Sequence, residues 1–345
     1  MFLCPIEDLL YVERRLEPIF ENLKGLTIFI SGSTGFIGKC LVETLVWLNR
    51  SKKLNLNIHS ISRSPESFFA KYPHFRAYEE FHLLKGDIRD RNIPFKGSLI
   101  NVLIHAATDV VDIGSPLDLY DSCAAGTSNI LSFAKLHSCE KFLLLSSGAV
   151  YGKFKDEFNG FSESYVGGID LRASKSAYGL GKQASEWIVQ QSSGDMNVTI
   201  ARCFAFVGPY LPINSHFAIG NFINDVLKNK SIEIKGDGTP LRTYLYTSDL
   251  CLWLIKILLE GKTGEVFNVG ASEVISIANL AALVKDLSHS DCEIIIGQKE
   301  GNCPFDAYIP NIQYIADRFG FYPNIDLRQS IQKTLNWNKL HETFY

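Results

Sequence analysis

Residues 26–48 read LTIFISGSTGFIGKCLVETLVWL: a β-rich run, a turn punctuated by Gly32, Gly35 and Gly38, and then apolar residues Leu41, Leu45 and Leu48 at helical spacing. Glycines at these intervals let the backbone turn sharply and approach a pyrophosphate. The N–H groups and dipole at the start of the following helix favour the negative charge. Such a turn acquires this meaning only when it opens the first strand–helix unit of a parallel sheet. The candidate binding residues are Gly32, Thr34, Gly35, Phe36, Ile37 and Gly38.

The surrounding chain supplies that context. Further β-rich runs occur at 57–62 (NIHSIS), 81–86 (FHLLKG), 99–105 (LINVLIH), 141–147 (KFLLLSS) and 197–203 (NVTIARC). Helical apolar spacing follows most of them, as in Ile130, Phe133 and Leu136, or Trp187 and Val189. Strands of nearly continuous apolar residues alternating with helices predict a parallel sheet covered on both faces, with right-handed crossovers. After about residue 205 the rhythm breaks into loops rich in Gly, Pro and Asn (VGPYLPINSHF, KGDGTPLR). A helix near 250–259, a strand EVFNV and a final α-rich region follow. The expected fold class is α/β, a doubly wound parallel sheet with a smaller C-terminal substrate-binding lobe.

The chain's 345 residues allow one large domain or two joined ones. Hydrophobic residues at 46% and charged residues at 21% exclude disorder and fibrous repeats. A net charge of -3 offers no general basic field, so neither nucleic acid nor an anionic membrane is an expected partner. The eight cysteines (4, 40, 123, 139, 203, 251, 292, 303) are dispersed without a Cys-x-x-Cys pair, so no metal site and no disulfide scaffold is expected. Reduced thiols suit a cytoplasmic location. Glu7, Asp8 and Glu13 interrupt what would have to be the apolar core of a signal peptide. Instead, Ile6, Leu9, Leu10, Leu16, Ile19, Phe20 and Leu23 predict an amphipathic helix over 1–24 packed on the domain. No apolar stretch is long enough to span a membrane.

Two further features carry chemistry. The second β-rich run ends Ile61-Ser62-Arg63-Ser64 with no acidic residue. An acidic residue there would bind an adenosine ribose, whereas an Arg accommodates a 2′-phosphate, so Arg63 favours NADP(H), with NAD(H) as the alternative. Tyr178 and Lys182 lie four apart at the head of a helical pattern and project on one face. An ammonium beside a phenol stabilises the phenolate and makes the Tyr a usable acid or base near neutral pH. Ser147, at the end of the fifth run, brings a hydroxyl to the carboxyl edge of the sheet, where open α/β folds bind ligands.

Glycine turn, Ser147 and Tyr-x-x-x-Lys in this order resemble the extended short-chain dehydrogenase/reductase family, which acts on nucleotide sugars, over about residues 25–335. The resemblance implies a Rossmann-type fold and a Ser147, Tyr178, Lys182 catalytic triad. It implies cofactor contacts from Asp87 and Ile88, from His105, Ala106 and Ala107, and from Tyr178 and Lys182 themselves. It places Arg242, in Gly236-Asp-Gly-Thr-Pro-Leu-Arg242, on a nucleotide diphosphate, and the 210–221 loop, with Asn221, at the sugar and base. His216 in that loop is equally a loop residue or a ligand. By the same likeness residues 25–205 form the dinucleotide-binding domain, with a segment around 240–270 returning to it. Residues 206–236 and 271–345 form the nucleotide-sugar lobe, and a homodimer through paired helices is expected.

The departures narrow the activity. The family's 4,6-dehydratases follow the triad hydroxyl with an Asp-Glu pair, and the decarboxylases keep the Glu; here Gly148 and Ala149 stand in those places, which disfavours both reactions. Ala205 and Cys123 replace expected Asn residues. The leading expectation is an NADPH-dependent reductase of a nucleotide-linked 4-keto-6-deoxyhexose. A C4 epimerase with bound NAD is the alternative, and a non-catalytic dinucleotide sensor a minor one.

Overall fold

The computed structural model describes residues 2–108, 114–152, 160–191, 194, 196–215, 217–298 and 306–341. His216 and Cys303 lie outside the described residues. The chain opens with α1 (Ile6–Leu16), β1 (Thr27–Ser31), α2 (Phe36–Lys52), β2 (Asn57–Ser62), α3 (Pro65–Lys71), β3 (Phe81–Lys85), β4 (Val102–His105), α4 (Pro116–Leu136) and β5 (Lys141–Ser147). It continues through α5 (Ala177–Gln191), β6 (Asn197–Cys203), β7 (Phe206–Val207), α6 (Ala218–Leu227), β8 (Ile232–Ile234), β9 (Leu241–Arg242), β10 (Leu245–Tyr246) and α7 (Thr247–Glu260). The last elements are β11 (Val266–Val269), β12 (Ile275–Ser276), α8 (Ile277–Ser288), β13 (Ile294–Ile296), β14 (Ala307–Tyr308), α9 (Gln313–Phe319) and α10 (Leu327–Leu340).

The six β-rich runs become β1 to β6 of a seven-stranded sheet, and EVFNV supplies its seventh strand, in the order β11-β6-β5-β4-β1-β2-β3. β1 pairs in parallel with both β2 and β4, as do β2 with β3 and β4 with β5. Strand order reverses between β1 and β4, the switch point at which open α/β sheets bind ligands beyond their carboxyl ends. The strand residues Ile28, Phe29, Ile30, Leu103, Ile104, Phe142 and Leu143 are all fully buried, as a sheet covered on both faces requires.

The chain divides into two compact units: Met1–Val150, Ile169–Arg202 and Cys251–Phe267 in the first, and Tyr151–Gly168, Cys203–Leu250 and Asn268–Tyr345 in the second. Two boundaries differ from those read in the sequence. Residues 151–168 join the second unit because Tyr151 stacks on Phe161 at 4.8 Å, its hydroxyl donates to Asn268 Oδ1 at 2.7 Å, and Phe161 N donates to Ile309 O. The segment returning to the first unit is 251–267 rather than 240–270, since β9 pairs with β12 and β14, and β10 with β7. In the second unit β8 pairs with β13, and α8 packs against α6 and α10.

The helix expected over 1–24 is α1 followed by a tight 3-10 stretch, Glu17–Leu23. Pro18 at its start lacks an N–H and clashes with the preceding turn, so the α-helix stops. Leu9, Val12, Leu16, Ile19 and Leu23 face inward, whereas Ile6 and Leu10 are exposed. The segment before α1 is tied to α2 by the buried Glu43, which accepts from Leu3 N at 2.9 Å, Cys4 N at 2.6 Å and the Tyr78 hydroxyl at 2.7 Å. Burial alone would raise the Glu43 carboxyl, but hydrogen bonds from His74, Leu3 and Tyr78 hold it below its usual range. Leu136 and Trp187, which the periodicity suggested as core, point outward.

Candidate active site

The glycine turn leads from β1 into α2. Gly32 has φ +84°, and a Cβ there would lie 2.7 Å from Ala107 N; a Cβ on Gly38 would lie 2.1 Å from Gly32 O. Only glycine fits either place. Gly35 caps α2 with no side chain to satisfy the first-turn amides of Phe36, Ile37 and Gly38, and its own N–H donates to Gly32 O at 3.1 Å. These features make a cradle that suits a dinucleotide pyrophosphate. Lys39 Nζ donates to Thr34 O at 3.1 Å and sits 4.7 Å from the centre of the Tyr72 ring. Burial pushes Lys39 down to about 8, with the nearby Lys71 adding to the shift and Cys40 opposing it.

Behind the turn a chain of buried hydrogen bonds joins β1, β4, α4 and α5. Thr127 Oγ1 donates to Ser185 Oγ at 2.9 Å, and Ser185 Oγ donates on to Gly181 O and Cys123 O. With its proton so directed, Thr127 accepts from His105 Nε2–H at 3.0 Å. His105 Nδ1 therefore accepts from Ser31 Oγ at 2.6 Å. Burial, with the charge of Lys182 second, pushes His105 down to about 3, so the ring is neutral and held in one tautomer. Ser31 Oγ accepts from Ala107 N at 3.3 Å and Ser31 O from Ala106 N at 3.0 Å, which sets Ala106 and Ala107 against the glycine turn. His105, 2% exposed, thus supports the turn from behind.

Arg63 follows the last residue of β2, and its charge helps to lower the Asp87 carboxyl. The larger cause is Arg89, whose guanidinium meets Asp87 at 2.6 Å and whose N–H donates to it at 2.9 Å. Sequence reasoning missed Arg89, although the Asp-x-Arg spacing was its signal. Ile88 is buried against Gly126 of α4, and Asn129 Nδ2 holds the backbone carbonyls of Ile88 at 3.2 Å and Arg89 at 2.7 Å.

Ser147 ends β5 and is 5% exposed; its Oγ accepts from Ala149 N at 3.1 Å as the chain enters a 3-10 turn, Gly148–Tyr151. Lys182 is buried on α5, where its Nζ donates to Leu145 O and Thr108 Oγ1, each at 2.8 Å, and lies 5.9 Å from the centre of the half-buried Tyr178 ring. Thr108 also escaped the sequence reading. Two glycines let α5 approach: a Cβ on Gly179 would lie 2.7 Å from Ala149 O, and one on Gly181 would lie 2.7 Å from Cys123 Cβ. One turn further along, Glu186 accepts from Ser146 Oγ at 2.5 Å and pairs with Arg202 at 2.7 Å, deep in the unit. The structure therefore brings the glycine turn, Ala106 and Ala107, Ser147, Tyr178 and Lys182 together in the first unit. Their arrangement suits proton transfer beside a bound dinucleotide.

The second unit carries Asn221 in the first turn of α6 and Arg242 in β9. Arg242 donates from Nη1 to Asp306 Oδ1 at 3.0 Å and from Nη2 to Asp306 Oδ2 at 3.2 Å, and also to Leu241 O at 2.8 Å.

The chain matches the sequence model of the NAD dependent epimerase/dehydratase family over residues 28–270. It is 26% identical over 308 residues to UDP-glucuronic acid decarboxylase 3 of Arabidopsis thaliana, covering 89% of this chain and 87% of that protein. Its fold is similar to that of a dTDP-glucose 4,6-dehydratase from Bacillus anthracis, solved with NAD (TM-score 0.79, 20% identity, 93% of this chain and 98% of that one). It is likewise similar to that of a UDP-glucuronic acid 4-epimerase from Bacillus cereus, solved with UDP-glucuronic acid and NAD (TM-score 0.76, 21% identity, 91% and 99%).

Proposed function

The chain belongs to the NAD dependent epimerase/dehydratase family, and from that premise we propose that it reduces C4 of a nucleotide-linked 4-keto-6-deoxyhexose with NADPH. The observation that carries this reading is the pair Gly148 and Ala149 directly after Ser147, beside the buried Lys182 and Tyr178. With no acid or base in those two places, elimination and decarboxylation lack the proton-transfer groups they need. Hydride transfer that interconverts a carbinol and a carbonyl is the chemistry left to the triad.

When bound, the nicotinamide supplies the hydride. Tyr178 gives its proton to the sugar oxygen, and Ser147 donates a hydrogen bond to the same atom. Lys182, held by Leu145 O and Thr108, keeps a positive charge next to the phenol and lowers the cost of the phenolate that remains. Arg63, in a β2 terminus without a carboxylate, supports NADPH over NADH through a bidentate grip on a 2′-phosphate. Arg242 and Asn221 of the second unit are proposed to meet the nucleotide sugar. A homodimer through α4 and α5, working in the cytoplasm, belongs to the same proposal.

The test mixes the enzyme with NADPH and dTDP-4-keto-6-deoxyglucose and follows the reduced-nicotinamide absorbance, then repeats with NADH and with Arg63→Asp. One NADPH oxidised per product, with the preference for NADPH weakened in the Asp variant, is the expected result. If neither cofactor is oxidised, and a 4-hydroxy nucleotide sugar offered with NAD is instead interconverted with its C4 epimer, the protein is an epimerase.

A further inference from the structure

We propose that Asp306 sets the affinity of the second unit for a nucleoside diphosphate, by occupying the Arg242 guanidinium until the ligand's phosphates displace it. The inference rests on the reading that Arg242 is the diphosphate contact. What it adds is a competitor built into the chain.

The pairing is a product of the strand register. β14 lies parallel to β9 with Ala307 opposite Leu241 and Tyr308 opposite Arg242, and Leu241 N donates to Asp306 O at 2.8 Å. Asp306 is thereby placed at the head of β14 beside the Arg242 side chain. Both of its carboxylate oxygens are engaged, at 3.0 and 3.2 Å, by the two terminal nitrogens of one guanidinium. A planar guanidinium presents the same fork to a carboxylate and to a phosphate. The two N–H groups that face Asp306 cannot serve both acceptors at once.

Exposure determines which acceptor yields. The Arg242 side chain is 25% exposed and that of Asp306 52% exposed, so the carboxylate can turn into water without leaving a buried charge behind. Arg242 keeps its bond to Leu241 O at 2.8 Å, which holds the guanidinium near the strand while the acceptor changes. A diphosphate brings more than one negative charge to the fork and outcompetes a single carboxylate, whereas a ligand with one weak negative charge does not. The exchange lowers affinity for every ligand but penalises weakly charged ones most. Asp306 is thus a specificity-determining residue for diphosphates.

The experiment is calorimetric titration of the full chain with UDP, dTDP, GDP and CDP, for the unaltered protein and for Asp306→Asn, Asp306→Ala, Arg242→Ala and the Asp306→Asn/Arg242→Ala double variant. Thermal melting of each variant establishes that it is folded. Removing an exposed competitor should tighten binding of the preferred nucleoside diphosphate about two- to fivefold in both Asp306 variants. The gain should vanish when Arg242 is also Ala. Unchanged or weaker binding by both Asp306 variants, with Arg242→Ala still weakening the parent, overturns the competitor and leaves Arg242 as the diphosphate contact. Binding by Arg242→Ala equal to the parent, or no binding of any nucleoside diphosphate by the parent and the Asp306 variants, overturns the underlying substrate reading.

Discussion

Tyr178 has Lys182 Nζ 5.9 Å from its ring centre, and Lys182 in turn is fixed by Leu145 O and Thr108. Replacing the hydroxyl alone, in Tyr178→Phe, should preserve cofactor binding and lower kcat by at least about 100-fold, the lower end of a general-acid contribution. Cofactor titration and single-turnover rates measure the two effects separately, and a Phe variant within a few-fold of the parent takes Tyr178 out of this role. Lys39 makes a prediction about pH. Its pKa falls from 10.5 to about 8 on folding because burial disfavours the ammonium. Below about pH 8 both states carry the proton and the native state bears the full penalty of the buried charge. Between about 8 and 10.5 the native state sheds the proton while the unfolded chain keeps it, so this group makes stability rise with pH. Measured against Lys39→Met in urea, the parent should therefore gain on the variant by up to roughly 3 kcal/mol across that window. A difference that stays flat from pH 7 to 10 would show that Lys39 is not perturbed. Spacing made Tyr178 and Lys182 legible in the sequence, whereas neither burial of Lys39 nor the tautomer of His105 leaves a mark on local pattern.

At the scale of elements, α5 is the part on which the proposed triad depends. It is stitched to the end of β5 by Lys182 on Leu145 O, Gln183 on Val150 O and Glu186 on Ser146 Oγ. Gly179 lets the helix reach the turn that follows Ser147. In Gly179→Ala the new methyl would lie 2.7 Å from Ala149 O, a backbone atom that cannot simply move aside. Overpacking of this kind costs about 1–3 kcal/mol. The variant should melt lower and lose kcat as Tyr178 is pushed off the Ser147 end, while cofactor affinity holds. Gly168→Ala, where nothing lies within 4 Å of the added carbon, is the control that should change neither quantity. The sequence showed that a helix begins near Tyr178. It did not show why one glycine follows Tyr178 and another precedes Lys182, because their partners, Ala149 and Cys123, lie on other elements.

For the whole molecule, the apolar residues left on the surface of the first unit are informative. Leu117 is 74% exposed, Leu136 77% and Trp187 65%, on α4 and α5, two helices that pack on each other. A tryptophan exposed to that degree on a helix face suits a buried contact with a second copy. Trp187→Glu should accordingly convert a dimer to a monomer by light scattering at micromolar concentration, with the melting temperature of the isolated unit little changed. A parent protein that runs as a monomer under the same conditions removes the homodimer from the proposal.

The amino-acid order by itself determined the six-strand succession, the glycine turn and the placing of Tyr178 and Lys182 one turn apart on a helix, because strand period, helix period and glycine's freedom at positive φ are local properties of the chain. Tertiary structure alone decided that 151–168 belongs with the second unit, that Leu136 and Trp187 face outward, and that Arg89 pairs with Asp87. The tertiary structure also decided the meeting of Arg242 with Asp306, 64 residues apart. Such pairings arise when strand register brings distant segments within hydrogen-bond reach, and the free energy of a charge depends on the neighbour and the exposure that the fold assigns to it.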